Sequence, residues 1–133
     1  MLPRLLDIGF QHVEKWHLKQ MEISYTLDYG NRRCNSLFAF VTRTEVLYIK
    51  RTSKSFKRRL YGYQNANATQ YADIIVNRLL SLLLLAGIAI EIYALPDRGL
   101  LHVGNSCMDL AAVLEDSLIL ELKPISNACI SEI

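Results

Sequence analysis

The chain has 133 residues, of which 51% are hydrophobic and 21% charged, with a formal net charge of +2. That length fits one domain around one core, and the near-neutral balance argues against a bulk polycation that coats nucleic acid by charge alone. Cys34, Cys107 and Cys129 are odd in number and far apart with no C-x-x-C pair, which argues against a disulfide framework or a cysteine zinc site and fits a reducing, cytoplasmic setting.

The opening MLPRLLDIGF is broken too early by Asp7 for a signal peptide. Residues 1–33 form the least legible part, an N-terminal extension in which His12 to Leu18 and Met21 to Leu27 read as two short strands, a possible hairpin, before a turn at Gly30-Asn31. Ser36 to Thr42 (SLFAFVT) and Glu45 to Arg51 (EVLYIKR) follow, rich in aromatic and β-branched residues, and form a hairpin. Ser53 or Ser55 caps a helix in which Phe56, Leu60 and Tyr63 recur on one face. Asn65 to Thr69 reads as a polar loop, and Gln70 to Ala86 as a long helix closed by Gly87. The apolar run from Leu79 to Ala86 is well short of the ~20 residues a membrane span needs, so it is expected to be a buried helix, with no membrane association. Ile88 to Ala94 is a strand ended by Pro96-Asp97. A loop through Gly104 leads to a last helix from about Met108 to Leu122, stopped by Pro124. A small antiparallel sheet with helices packed on it, an α+β fold, is the natural solution.

Charge is unevenly spread. Lys50, Arg51, Lys54, Lys57, Arg58 and Arg59 form a basic run that Tyr61 and Tyr63 close, with no acid before Asp73. Such a run is either a plain solvated face or a surface that tracks phosphates. Arg59 and Tyr63 are one helical turn apart. They read either as an exposed stacked pair or as a phosphate clamp beside a phenol that handles a proton. Glu115 shares a helical stripe with Ala111, Leu114, Leu118 and Leu122. A carboxylate there either reaches water or an arginine at the stripe's edge, or serves as a metal ligand or ion-pair partner. His12, His17 and His102 lack metal-ligand spacing, and no Gly-rich phosphate loop or G-x-S-x-G context is present.

In this order and on these elements, the residues resemble the GIY-YIG nuclease superfamily, its small bacterial and restriction-enzyme-like branch, from about Ser36 to Asn127. The first signature triplet, G-[I/V]-Y, falls on Ser36-Leu37-Phe38, and the second, Y-I-G, on Tyr48-Ile49-Lys50. The family arginine lies nine residues further, at Arg59, and the following His or Tyr at Tyr63. Glu115 in LEDSLI and Asn127 in KPISN take the places of the metal-binding Glu and the terminal Asn. LYGYQNANATQ and EIYALPD also resemble the small bacterial members.

What the resemblance implies is an α/β sandwich with a central three-stranded antiparallel sheet, residues 34–127 forming the core of a single domain. It implies a divalent-metal-dependent DNA endonuclease that hydrolyses phosphodiesters with one Mg²⁺ or Mn²⁺. Tyr48 and Tyr63 would handle protons, Arg59 would neutralise the phosphate, and Glu115 would hold the metal. Lys50, Arg51, Lys54, Lys57, Arg58 and Asn127 would contact DNA. Cleaving both strands is what would call for a homodimer. Both triplets have diverged: Ser36 and Lys50 replace glycines, and Phe38 replaces a tyrosine, losing a hydroxyl that relays a proton. The alternative expectation is therefore a catalytically impaired or non-catalytic protein of the same fold that binds nucleic acid or a protein partner.

Overall fold

Strict alternation in SLFAFV sets up the centre of the molecule. In β4 (Ser36–Val41), Leu37, Ala39 and Val41 enter one apolar layer while Phe38 and Phe40 enter the other, and all five are buried. A strand buried on both faces must be central, and β4 is flanked on each side. It pairs antiparallel with β5 (Val46–Thr52) and with β6 (Glu91–Leu95). The computed structural model describes residues 2–20, 22–24, 36–52, 56–65, 71–95, 100–103, 106–124 and 127.

The three expected strands pair antiparallel, and a fourth joins them. β1 (Gln11–Lys15) adds to the far side of β6, giving the order β1-β6-β4-β5. The N-terminal segment therefore builds part of the sheet. The expected strand from His12 to Leu18 is thus split: its first part is β1, and its last residues enter a small hairpin of β2 (His17–Lys19) with β3 (Glu22–Ser24), the latter within the expected strand from Met21 to Leu27. A short helix that the sequence did not suggest, α1 (Leu2–Ile8), precedes them.

Helices cover both faces. α2 (Phe56–Gln64) and α3 (Tyr71–Leu85) lie over the face that carries Phe38, Phe40 and Tyr48, where Leu60, Tyr63, Val76 and Leu80 complete a core that also takes in Trp16 and Ile23. Leu5 and Phe10, at α1, and Leu118 of α4 (Leu110–Leu122) cover the opposite face against Leu37, Ala39 and Ile49. The result is the α/β sandwich the resemblance implied.

Gly87 closes α3 as expected. Its φ of +82° lets its N–H reach Leu84 O at 3.0 Å while Ile88 N–H reaches Leu83 O at 3.0 Å, the Schellman arrangement. The strand expected from Ile88 begins instead at Glu91, because the chain leaves that cap with its amide already bonded to the helix. The loop expected before Gly104 contains a strand, β7 (Leu100–Val103), paired with β8 (Ser106–Asp109), so the last helix starts at Leu110 rather than Met108. The suggested turns at Gly30-Asn31 and Pro96-Asp97, the caps Ser53 and Ser55, and most of the 65–69 loop lie outside the described residues. Among the described residues no helix is long and apolar enough to cross a membrane.

Candidate active site

An irregularity in β5 aims its tyrosine. Val41 faces Val46 and Phe40 faces Tyr48, so Leu47 is an extra residue on β5. This bulge turns both Leu47 and Tyr48 into the α2/α3 layer, whereas Val46 and Ile49 face the other way. Tyr48 meets Tyr63 of α2, whose hydroxyl lies 3.2 Å from its own, with the two rings edge to face at 5.7 Å. Phe38 completes the aromatic box, its ring centroid 6.1 Å from Tyr63 and 6.2 Å from Tyr48. It sits beside both phenols and brings no hydroxyl of its own.

Arg59 lies one turn before Tyr63 and lays its guanidinium over that ring, 4.3 Å from the centroid. Both terminal nitrogens reach Asp73 at the start of α3. Nη1 is 3.4 Å from Oδ2, and Nη2 donates to Oδ1. The Arg59 side chain is 20% exposed and that of Asp73 only 3%, so the pair opens to solvent on the arginine side. One turn along α3, Asn77 donates to Tyr63 O at 2.7 Å, satisfying a carbonyl at the end of α2 and fixing the two helices together.

The electrostatics follow from burial. Desolvation raises the Tyr48 phenol above its ordinary value, against the lowering effects of the Tyr63 hydrogen bond and the Arg59 charge. Tyr63 is raised further, again chiefly by burial and then by Tyr48. Both phenols are neutral at pH 7, so each acts as a hydrogen-bond donor there rather than as a phenolate base. Burial by itself would lower Arg59, but its hydrogen bond to Asp73 and the Tyr63 phenol more than offset that, so its proton is held beyond the usual range.

Glu115 approaches from the other side of the sheet. β5 is an edge strand, and the residues of α4 and beyond cap its outward-facing backbone. Arg51 N–H donates to Glu115 Oε2. Ile49 N–H donates to Asn127 Oδ1, and Asn127 Nδ2 donates to Ile49 O, each at 2.8 Å. One oxygen of Glu115 thus finds a partner in a main-chain amide, which its sequence setting did not suggest. Its charge also pushes the Tyr48 phenol up, so it lies within electrostatic range of that phenol.

Tyr48, Arg59 and Tyr63 therefore come together in direct contact, and Asp73 joins them. Glu115 and Asn127 meet β5 at its edge instead, Glu115 bonding to the backbone three residues beyond Tyr48. Lys50 is exposed and Arg51 half-buried on the same strand. Lys57 and Arg58 lie in α2, and Ser36 opens β4 opposite Thr52, but their side chains lie outside what the structure describes, as does all of Lys54. Asp73 was missed as a site residue, although the sequence held a signal. It is the first acid after the basic run, and Val76 and Leu80 follow it on the same helical stripe, the setting that had drawn attention to Glu115.

Among the described residues no three His, Cys, Asp or Glu side chains gather as a metal cluster. The donor set still suits one hard divalent ion that keeps its own waters. Such an ion asks for one or two carboxylates plus substrate oxygens, and Glu115 has one oxygen on Arg51 and, among the described residues, the other without a protein partner.

The same arrangement of elements occurs in solved structures. A point mutant of bacteriophage T4 EndoII superposes with a TM-score of 0.74, covering 94% of this chain and 96% of that one at 20% identity. The fold is GIY-YIG-like. Restriction endonuclease HPY188I, in complex with product DNA, matches with a TM-score of 0.53 over 86% of this chain and 73% of that one, at 12% identity. No protein-family model matches the chain, and neither does any curated protein.

Proposed function

We propose that this chain is a DNA endonuclease of the GIY-YIG type that hydrolyses phosphodiester bonds with one divalent ion, Mg²⁺ or Mn²⁺. The observation that carries this reading is the Arg59, Tyr63 and Tyr48 cluster on a GIY-YIG-like sheet, with Glu115 fixed on the strand that carries Tyr48. Each part has a chemical task. Arg59 donates hydrogen bonds to non-bridging phosphate oxygens, and stacking on Tyr63 keeps its plane fixed. Tyr48, held neutral, donates to an oxygen that gains charge during hydrolysis, and Tyr63 donates to Tyr48 and orients it. Lys50 and Arg51, with Lys54, Lys57 and Arg58, hold the backbone of the duplex. Asn127 acts through Ile49, keeping β5 in register rather than touching DNA. Glu115 would hold the ion, which when bound supplies positive charge to the reacting phosphate. Cutting both strands calls for two such sites, which a homodimer supplies.

The test is incubation of the purified protein with supercoiled plasmid and Mg²⁺ or Mn²⁺. Nicking is expected, and Glu115→Ala is expected to abolish it. Absence of nicking with either ion refutes the reading.

One observation favours a second reading, in which the fold binds nucleic acid without cutting it. Phe38 occupies the box beside both phenols without a hydroxyl, and the two phenols that remain bond to each other. Salt-dependent DNA binding without nicking is its signature. A Phe38→Tyr variant that gains nicking would show that one hydroxyl separates the two readings.

A further inference from the structure

Asp73 has no place in the chemistry set out above, yet it is the most deeply buried charged side chain of the cluster. It is 2% exposed overall, with both carboxylate oxygens turned to Arg59. Guanidinium has five N–H groups, and an end-on grip on its two terminal nitrogens leaves the Nε–H and the outward N–H groups available. Three features hold that grip. The Tyr63 ring lies beneath the guanidinium, its centroid 4.3 Å from Cζ. Gly62 packs against both partners so closely that a Cβ there would lie 3.1 Å from Arg59 Nη1 and 3.3 Å from Asp73 Oδ2. Asn77, one turn beyond Asp73, ties α3 to the last carbonyls of α2, at Tyr63 and Gln64, so the helices that carry the pair do not part.

We propose that Asp73 is a positioning residue for Arg59: it retains the terminal edge of the guanidinium and thereby presents the remaining donors to the substrate phosphate. This inference rests on the nuclease reading and adds to it which edge of the arginine meets the phosphate. The burial asymmetry gives the reason. If Arg59 swung away to a phosphate, Asp73 would be left as a charge with almost no access to water, a costly state. Arg59 at 20% exposure reaches solvent while remaining on Asp73. Because the pair carries no net charge, its effect on a phosphate is directional rather than coulombic, and direction is what Asp73 controls. The competing arrangement is one in which Asp73 occupies the arginine until phosphate displaces it, a built-in inhibitor. The two arrangements give opposite results on removing the acid.

The experiment has two arms. In the first, Asp73→Asn keeps the shape and one acceptor but loses the charge, and single-turnover nicking is compared with affinity for duplex DNA in the absence of divalent ion. The expected result is a fall in the cleavage rate of about 100-fold, the effect of a misplaced group, with affinity unchanged or slightly raised. An unchanged rate, or a raised one, overturns the proposal. In the second arm, the guanidinium signals of Arg59 are followed by NMR in the isotope-labelled native protein, with and without duplex DNA. A guanidinium gripped end-on rotates slowly and gives separate terminal-nitrogen signals. Their persistence on adding DNA upholds the proposal, and their merging overturns it. The second arm needs neither the variant to fold nor the protein to cut. If nicking is absent and the signals persist, the nuclease reading has failed while the fixed pair stands.

Discussion

Two carboxylates, Asp73 and Glu115, sit on leucine-rich helices that cover opposite faces of one sheet, and they are used in different ways. Asp73 turns both oxygens to a guanidinium, so its charge is cancelled within the fold. Glu115 accepts from the neutral amide of Arg51 through one oxygen, and among the described residues no cationic side chain pairs with its carboxylate. A buried carboxylate must lose or pair its charge, whereas one at a sheet edge has water beside it. The comparison separates the roles. Asp73 fixes a cation in place, and in the proposed function Glu115 is the carboxylate that would hold a divalent ion.

The largest effect that separates the two sites is on stability. Replacing Arg59 by Met leaves Asp73 buried without a partner and is expected to cost about 3–5 kcal/mol. Removing both charges, in Arg59→Met with Asp73→Leu, is expected to recover most of that loss, because apolar groups of similar volume need no counter-charge. Urea unfolding of the two single variants and the double variant measures the coupling. If the single losses simply add, Asp73 is not the buried ion-pair partner described here, and its contrast with Glu115 disappears.

The phenols give an intermediate effect, read against pH. Burial raises Tyr48 and, further, Tyr63 above the value near 10 that both have in the unfolded chain. A group whose pKa is raised on folding contributes fully below its unfolded pKa, and that contribution is lost as pH rises toward the folded value. Unfolding free energy should therefore be level near pH 8 as far as these groups are concerned. Above about pH 10 it should fall by up to about 1.4 kcal/mol per pH unit for each phenol. Tyr63→Phe removes one titration and makes that alkaline limb shallower, while losing about 1 kcal/mol at neutral pH with the Tyr48 hydrogen bond. Denaturation curves at pH 8 and pH 11 decide it. An unchanged slope means that the Tyr63 hydroxyl is not shielded from water.

Local signals carried much of this architecture into the sequence, and non-local ones did not. SLFAFV and EVLYIKR showed the hairpin because each strand states its own period, and Gly87 marked the end of α3 because a Schellman turn calls for such a residue. The helix α1 carried its markers too, Pro3 at the start and Gly9 at the end, but a helix this short offers barely two turns of periodicity. β1 was visible only as an uncertain strand. It lies at an edge, largely exposed, and its partner β6 (Glu91–Leu95) is far along the chain. The site divides in the same way. The spacing of Arg59 and Tyr63 along α2 gave their shared face, whereas the Asp73 contact joins two helices, and no single helical period relates them. The tilt of Tyr48 depends on the extra Leu47, and strand alternation contains no sign of a bulge. The Glu115 partner is a backbone amide, which leaves no trace in residue type.

The smallest structural effect is the most telling about function, because it separates the hydrogen bond of Glu115 from its charge. Glu115→Ala leaves Arg51 N–H at the edge of β5 without its acceptor, a loss of about 1 kcal/mol softened by the water available there. Glu115→Gln keeps an amide oxygen for the same N–H, so its stability is expected to fall within about 0.5 kcal/mol of the native protein. If the residue served only to cover the sheet edge, Gln would restore whatever Ala removes, nicking included. If its charge holds a divalent ion, Gln restores stability and leaves nicking as low as in the Ala variant, since a neutral amide is a poor ligand for a hard cation. Urea unfolding and plasmid nicking on the same two preparations distinguish the cases. A Gln variant that cuts as the native protein does would reduce Glu115 to an edge cap and take away the charge difference between the two carboxylates.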